Sequence, residues 1–188
     1  LRFEEIAKSA KQAANYLKDK EKADIIIGLF HSGWDGGIKT EEYTEDATKQ
    51  VAIELSGFDI IFFGHDHKEH NSIETNAKGG RVVCLNPANN AMNVAEATIT
   101  ITKNKNHISS KAIKSSITDV SKMAVDSMMT TFFMPQTDAV KAFTSKKIGT
   151  LSNTIRTRDA FFGSSAFCDF IQNMQLSITG ADISLNAP

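Results

Sequence analysis

The chain has 188 residues, enough for one domain or a domain and a half. Hydrophobic residues make up 41% and charged residues 23%, so it can bury a core and is not a disordered tail. The 21 Lys and Arg against 22 Asp and Glu leave a net charge of -1, which argues against bulk electrostatic binding to nucleic acid or an anionic membrane. No apolar run approaches the ~20 residues of a membrane span. The longest, Ile25–Phe30 and Ile60–Phe63, are strand-sized. Cys84 and Cys168 stand far apart, make no disulfide framework, and do not fix the redox compartment. Leu1 leads straight into an amphipathic pattern with no signal peptide visible, so the chain is expected to start inside a domain.

Phe3, Ile6, Ala7, Ala10, Ala14 and Leu17 fall on one helical face, which predicts a helix over residues 3–19. Residues 23–30 form a continuous apolar run, the mark of a strand buried on both faces. A loop, His31-Ser32-Gly33-Trp34-Asp35-Gly36-Gly37, follows. Residues 44–56 read as a helix with Thr44 as its N-cap. Residues 58–63 are a second buried strand, ending in the loop Gly64-His65-Asp66-His67. Strand, loop, helix and strand in this order make a βαβ unit with a parallel sheet.

The character then changes. Residues 81–85 read as a short strand, and residues 94–102 and 107–113 as an antiparallel hairpin about the polar turn at 103–106. Residues 118–146 carry helix formers and a patch of Met123, Met128, Met129 and Met134, with Pro135 breaking or kinking the helix. That stretch reads as a linker, and its methionines as helix packing. Beyond it a strand is expected at 148–155, a helix at 164–176 and the start of another strand at 181–185.

Three histidines stand out by position. His31 follows the first buried strand, and His65 and His67 follow the second. Ligands gather at the carboxyl ends of strands in open α/β sheets, and adjacent parallel strands lie ~4.8 Å apart. Residues i and i+2 of extended backbone project to one side, so His65 and His67 can both face the same cup. Imidazole suits Zn, Mn and Fe, so the three residues are candidate metal ligands. Glycines 33, 36, 37 and 64 fit a turn where backbone approaches a ligand closely. Asp35 and Asp66 are candidate hydrogen-bond partners of the ligands, although loop carboxylates are more often simply solvated. A rival metal reading takes His65, His67 and His70 as a metallo-β-lactamase-like signature. It puts Glu69 where that signature has Asp and leaves His31 without a role. His70 and His107 otherwise read as polar loop and hairpin residues. Arg156 and Arg158 are candidate phosphate contacts, though exposed arginines usually are not. No phosphate-binding glycine loop and no nucleophile elbow is present.

The segment ADIIIGLF-His31-Ser-Gly33 resembles the His-x-Gly motif of calcineurin-like metallophosphoesterases, and FDIIFF-Gly64-His65-Asp-His67 resembles their Gly-His-x-His motif, in the same order and spacing. Residues 164–188 resemble the opening of the 5'-nucleotidase C-terminal domain. The ending Ala-Asp-Ile-Ser-Leu-Asn-Ala-Pro is most similar to the 2',3'-cyclic-nucleotide 2'-phosphodiesterase / 3'-nucleotidase branch. The resemblance implies an α/β fold: the C-terminal half of a four-layer metallophosphoesterase sandwich over residues 1–116, a helical linker over 117–147, and the beginning of the 5'-nucleotidase-type C-terminal domain over 148–188.

It also implies a two-metal phosphoesterase acting on a nucleotide. A metal-held hydroxide attacks phosphorus, and two divalent ions (Mn, Zn or Fe) neutralise the developing charge. His31 and His65 would share one ion and His67 would hold the other. The family's catalytic His, bridging Asp and Asn ligand belong to motifs that precede His-x-Gly, and none of these motifs is present here. The chain by itself is therefore expected to be inactive, the middle of a longer enzyme. Residues 86–93 also lack the glycines usual at that place. The resemblance implies export to the periplasm or cell surface. Alternatives are a non-catalytic metal-binding module of the same fold, or a UDP-sugar or sulfur-ester hydrolase of the same superfamily.

Overall fold

The computed structural model describes residues 4–105 and 107–186. Leu1–Phe3, Asn106, Ala187 and Pro188 lie outside the described residues, as does the side chain of His107, although sequence expectations fall on several of them. The chain divides into two compact units, residues 1–124 and 125–188.

The first unit opens with helix α1 (Ile6–Asp19). The Glu5 carboxylate caps it, accepting the amide hydrogens of Ala7 and Lys8. Its apolar stripe buries Ala7, Ala10 and Ala14. Strand β1 (Ile27–Phe30) leads to a small antiparallel ribbon, β2 (Gly36–Lys39) and β3 (Thr44–Asp46). Helix α2 (Thr48–Glu54) and strand β4 (Ile60–Phe63) follow. β1 and β4 pair in parallel, with Phe30 beside Phe63, so the expected βαβ unit is present.

The helix expected at 44–56 is shorter. Thr44 lies in β3 and Ala47 is the N-cap residue, with no side-chain cap bond. Residues 44–46 are recruited as a strand because β2 offers them a ladder partner.

Strand β5 (Glu69–Thr75) runs antiparallel to β6 (Arg81–Pro87), and β6 runs parallel to β4, giving the sheet order β1-β4-β6-β5. β5 is not legible in the sequence because it is mostly polar. Its alternating half-buried His70, Ser72 and Glu74 become visible only once β6 supplies the register. The Asn76 side-chain oxygen closes the turn between them by accepting from the Lys78 and Gly80 amides.

A long hairpin, β7 (Asn93–Asn104) and β8 (His107–Asp119), completes the unit. It continues past residue 116, so residues 117–119 are strand rather than linker.

The central sheet has two apolar faces. Ile61, Phe63, Val82 and Cys84 meet α1 and α2 on one side. Ile60, Val83 and Leu85 meet Ala95, Ala97, Ile99, Ile113 and Ile117 of the hairpin on the other. Successive residues of β4 and β6 thus serve opposite layers, which is why β4 reads as a continuous apolar run. β1 departs from that expectation. Ile27 is 51% exposed and Leu29 is 85% exposed. The hairpin covers β4 and β6 but leaves this side of β1 bare.

The second unit contains α3 (Ser127–Thr144), a short 3-10 helix (Thr157–Phe162) and α4 (Ala166–Thr179). Asp126 caps α3 and Ser165 caps α4, while Gly180 closes α4 in left-handed backbone with φ 66°. α3 runs through Pro135, so of the expected break or kink the break does not occur. It buries none of its residues. The expected packing of the Met patch is not seen: Met123, Met128, Met129 and Met134 are all exposed. Residues 148–155 and 181–185 are not strands, because no described segment pairs with them.

Candidate functional site

The parallel register of β1 and β4 brings the loops after Phe30 and Phe63 side by side. Their first imidazoles meet there. His31 Nε2 lies 3.3 Å from His65 Nδ1, with the rings 5.1 Å apart and steeply tilted. The other nitrogen of His65, Nε2, lies 2.9 Å from Oε1 of Glu45. The second carboxylate oxygen, Oε2, accepts the amide hydrogen of Ile38 at 2.8 Å. Glu45 therefore bridges the β2–β3 ribbon to His65. These two contacts, the Ile38 amide first, hold its carboxyl below the usual carboxylate range.

The extended-backbone argument does not hold for His67. His65 and His67 both have left-handed backbone, φ 91° and 57°, so the alternation of an extended chain does not apply to them. His67 is exposed and makes no hydrogen bond or ring contact with His31 or His65. Left-handed conformations at non-glycine residues cost on the order of 1–3 kcal/mol each and cluster at functional sites. Two of them within three residues mark this loop.

A network of short bonds holds the two loops. Asp46 Oδ1 accepts the Gly33 amide at 2.7 Å. The Ser32 hydroxyl donates to the Glu45 carbonyl and accepts from the Ala47 amide. The Thr48 hydroxyl donates to the Ser32 carbonyl. Asp66 accepts from the Trp34 amide at 3.0 Å, from the Asn86 side-chain amide at 2.7 Å and from the Lys68 amide at 3.3 Å. Asp66 is thus a structural tie among three strand ends, and its hydrogen bonds go to backbone and Asn86 donors rather than to a histidine. Asp35 is engaged elsewhere: Lys49 and Lys39 pair with it and hold its carboxyl low.

Gly33 sits where this network is tightest. A Cβ added there would lie 2.5 Å from Asp46 Oδ1 and 2.9 Å from Asp66 Cβ. The glycine of His-x-Gly is required by the approach of two aspartates. The turn from 88 to 91 holds Ala88, Asn90 and Ala91 at positive φ, the conformation that glycine adopts without strain.

His70 does not join the site. Its ring stacks on Trp34 at 4.2 Å and meets Phe63 edge-on, and its Nε2 bonds the Ser72 hydroxyl. Burial lowers its pKa, outweighing the pull of Glu74 and Asp66. Both the loop placement and the metallo-β-lactamase-like reading fail for it, because β5 carries it under Trp34. Burial pushes the Cys84 thiol up to about 12, so it holds no thiolate at neutral pH. Arg156 and Arg158 are exposed in the second unit.

Glu45 is the residue sequence reasoning missed. No local pattern distinguishes it from Glu41, Glu42 or Asp46. What selects it is the β2–β3 pairing, which turns it toward His65.

The metal reading can be tested on this geometry. Imidazole nitrogens bound to one ion at ~2.0–2.1 Å and a tetrahedral angle stand ~3.4 Å apart. The observed 3.3 Å between His31 and His65 fits that spacing. A carboxylate on the far nitrogen of a ligating histidine is the usual supporting arrangement. Among the described residues no group of three His, Cys, Asp or Glu forms a complete set of ligands. The chain therefore offers a fitting pair of donors and needs more.

No protein-family model matches this chain, and no curated protein matches it. Solved structures do. The chain is similar to the calcineurin-like phosphoesterase YfkN from Bacillus subtilis, with a TM-score of 0.63 and 19% identity over 77% of this chain and 46% of that one. It is similar to a 5'-nucleotidase precursor from Thermus thermophilus, with a TM-score of 0.53 and 14% identity over 77% of this chain and 29% of that one. The chain thus spans less than half the length of either. At these identities the likeness is one of fold.

Proposed function

We propose that this chain, whose mixed α/β fold is that of calcineurin-like phosphoesterases and 5'-nucleotidases, supplies part of a divalent-metal centre that hydrolyses nucleotide phosphoesters. The observation that carries the reading is the His31–His65 pair, 3.3 Å apart at the carboxyl ends of adjacent parallel strands. His31 and His65 hold one ion of the Mn, Zn or Fe kind, and His67 serves a second. The ions supply charge stabilisation on the phosphoryl oxygens when bound. The chain's own contribution is positional. Asp46 and Asp66 pin the two loops, so the imidazoles are already paired before any ion arrives. The substrate class is a nucleotide, of the 5'-nucleotidase or the 2',3'-cyclic-nucleotide phosphodiesterase / 3'-nucleotidase type. Periplasmic or cell-surface location goes with that reading.

A Mn²⁺ titration followed by amide line-broadening tests it. Broadening is expected at residues 31–34 and 64–67 and is lost in His65→Ala. Phosphate release from 5'-AMP, 3'-AMP, 2',3'-cyclic AMP (with added monoesterase) and a UDP-sugar then assigns the substrate, with the same variant as control. No selective broadening at either loop sinks the proposal. Selective broadening without turnover of any substrate by the complete protein leaves a metal-binding module that is not an enzyme.

A further inference from the structure

In the neutral imidazole of His65, the Glu45 contact decides which nitrogen is left free. A carboxylate oxygen can only accept a hydrogen bond, so at 2.9 Å the Nε2 of His65 must carry the proton. A neutral imidazole has one N–H, so Nδ1 then presents a lone pair. That lone pair is on the atom facing His31 Nε2 at 3.3 Å. Glu45 itself cannot swing away freely, because its other oxygen is anchored by the Ile38 amide. The anchor comes from the β2–β3 ribbon, where Gly36 pairs with Asp46 and Lys39 with Thr44. The ribbon thus has a purpose beyond connecting β1 to α2.

We propose that Glu45 is a positioning residue: held by Ile38, it fixes His65 as the Nε2–H tautomer and thereby makes Nδ1 the ligand atom aimed at the site shared with His31. This rests on the metal-centre reading for its purpose but not for its geometry, which exists without an ion. Asp35 and Asp66 cannot take the role, since lysines occupy the first and backbone and Asn86 donors the second. Loss of such a supporting carboxylate typically costs ~10–100-fold in metal affinity.

The test uses the metal-free chain, with the pH raised until the ring-nitrogen signals of His65 report the neutral imidazole. Long-range proton–nitrogen correlation spectra read the tautomer, with the His65 signals assigned by their loss in His65→Gln. The expected result is a protonated, slowly exchanging Nε2 and a bare Nδ1. A protonated Nδ1 overturns the proposal with no variant needed. Glu45→Ala should lose the slow Nε2–H exchange and bind Mn²⁺ at least ~10-fold more weakly. Glu45→Gln retains one acceptor oxygen and should fall between the two; it is also the variant to read should Glu45→Ala not fold. Unchanged Mn²⁺ affinity in a folded Glu45→Ala protein overturns the proposal. The Nε2–H tautomer together with no Mn²⁺ binding at all would count against the metal-centre reading and leave the tautomer assignment standing.

Discussion

At the scale of single residues, the site is governed by a few atoms that have no room to move. Gly33 is the clearest case. Its backbone lies against the Asp46 carboxylate and the Asp66 side chain, and any Cβ must displace one of them. Gly33→Ala is expected to cost about 1–3 kcal/mol, the usual range for overpacking. Urea unfolding measures it, and Gly64→Ala is the control, since a Cβ there meets nothing within 4 Å. Equal stability of the two variants would mean the aspartates yield easily and the tight network is incidental. Gly33 and His31 were readable as a motif because the motif is local. The aspartates that make the glycine necessary were not, because they arrive from 13 and 33 residues further along the chain.

At the scale of elements, burial is unevenly distributed across strands that look alike in sequence. β1 and β4 both read as apolar runs, yet only β4 is covered on both faces. Ile61 is fully buried beneath the helices, whereas Leu29 is 85% exposed. Ile61→Ala is expected to cost about 2–5 kcal/mol, while Leu29→Ala stays within about 0.5 kcal/mol. Thermal unfolding of the two variants distinguishes them, and a comparable loss for Leu29→Ala would show that this face of β1 is covered in solution. The hairpin is fastened to the sheet by Lys111, which pairs with Asp59 at 2.9 Å, and by the Ser115 hydroxyl, which donates to the Asn71 side-chain oxygen. Asp59 also accepts the Ile26 amide, so one carboxylate links β4, the start of β1 and the hairpin. Hydropathy showed which segments were apolar but not which faces would find a neighbour.

At the scale of the whole molecule, the two units differ in how they are held. The first has a sheet sandwiched between helices and a hairpin, with Ile60, Ile61, Val82 and Leu85 at its centre. In the second, α3 and α4 have caps but bury none of their residues. An isolated helix of this length is marginal in water. Amide exchange is therefore expected to be slowest in β4 and β6 and fastest in α3, by hydrogen-exchange mass spectrometry. Protection of α3 equal to that of β6 would contradict this and point to a packing partner for the helix. The sequence by itself determined the βαβ unit, the hairpin and the position of His31 and His65, because period, apolar runs and strand-end loops are short-range signals. The strand β5, the left-handed backbone at His67, the stacking of His70 under Trp34 and the role of Glu45 were decided by tertiary structure alone. Each depends on which strand pairs with which, and that pairing brings together residues that no local pattern relates.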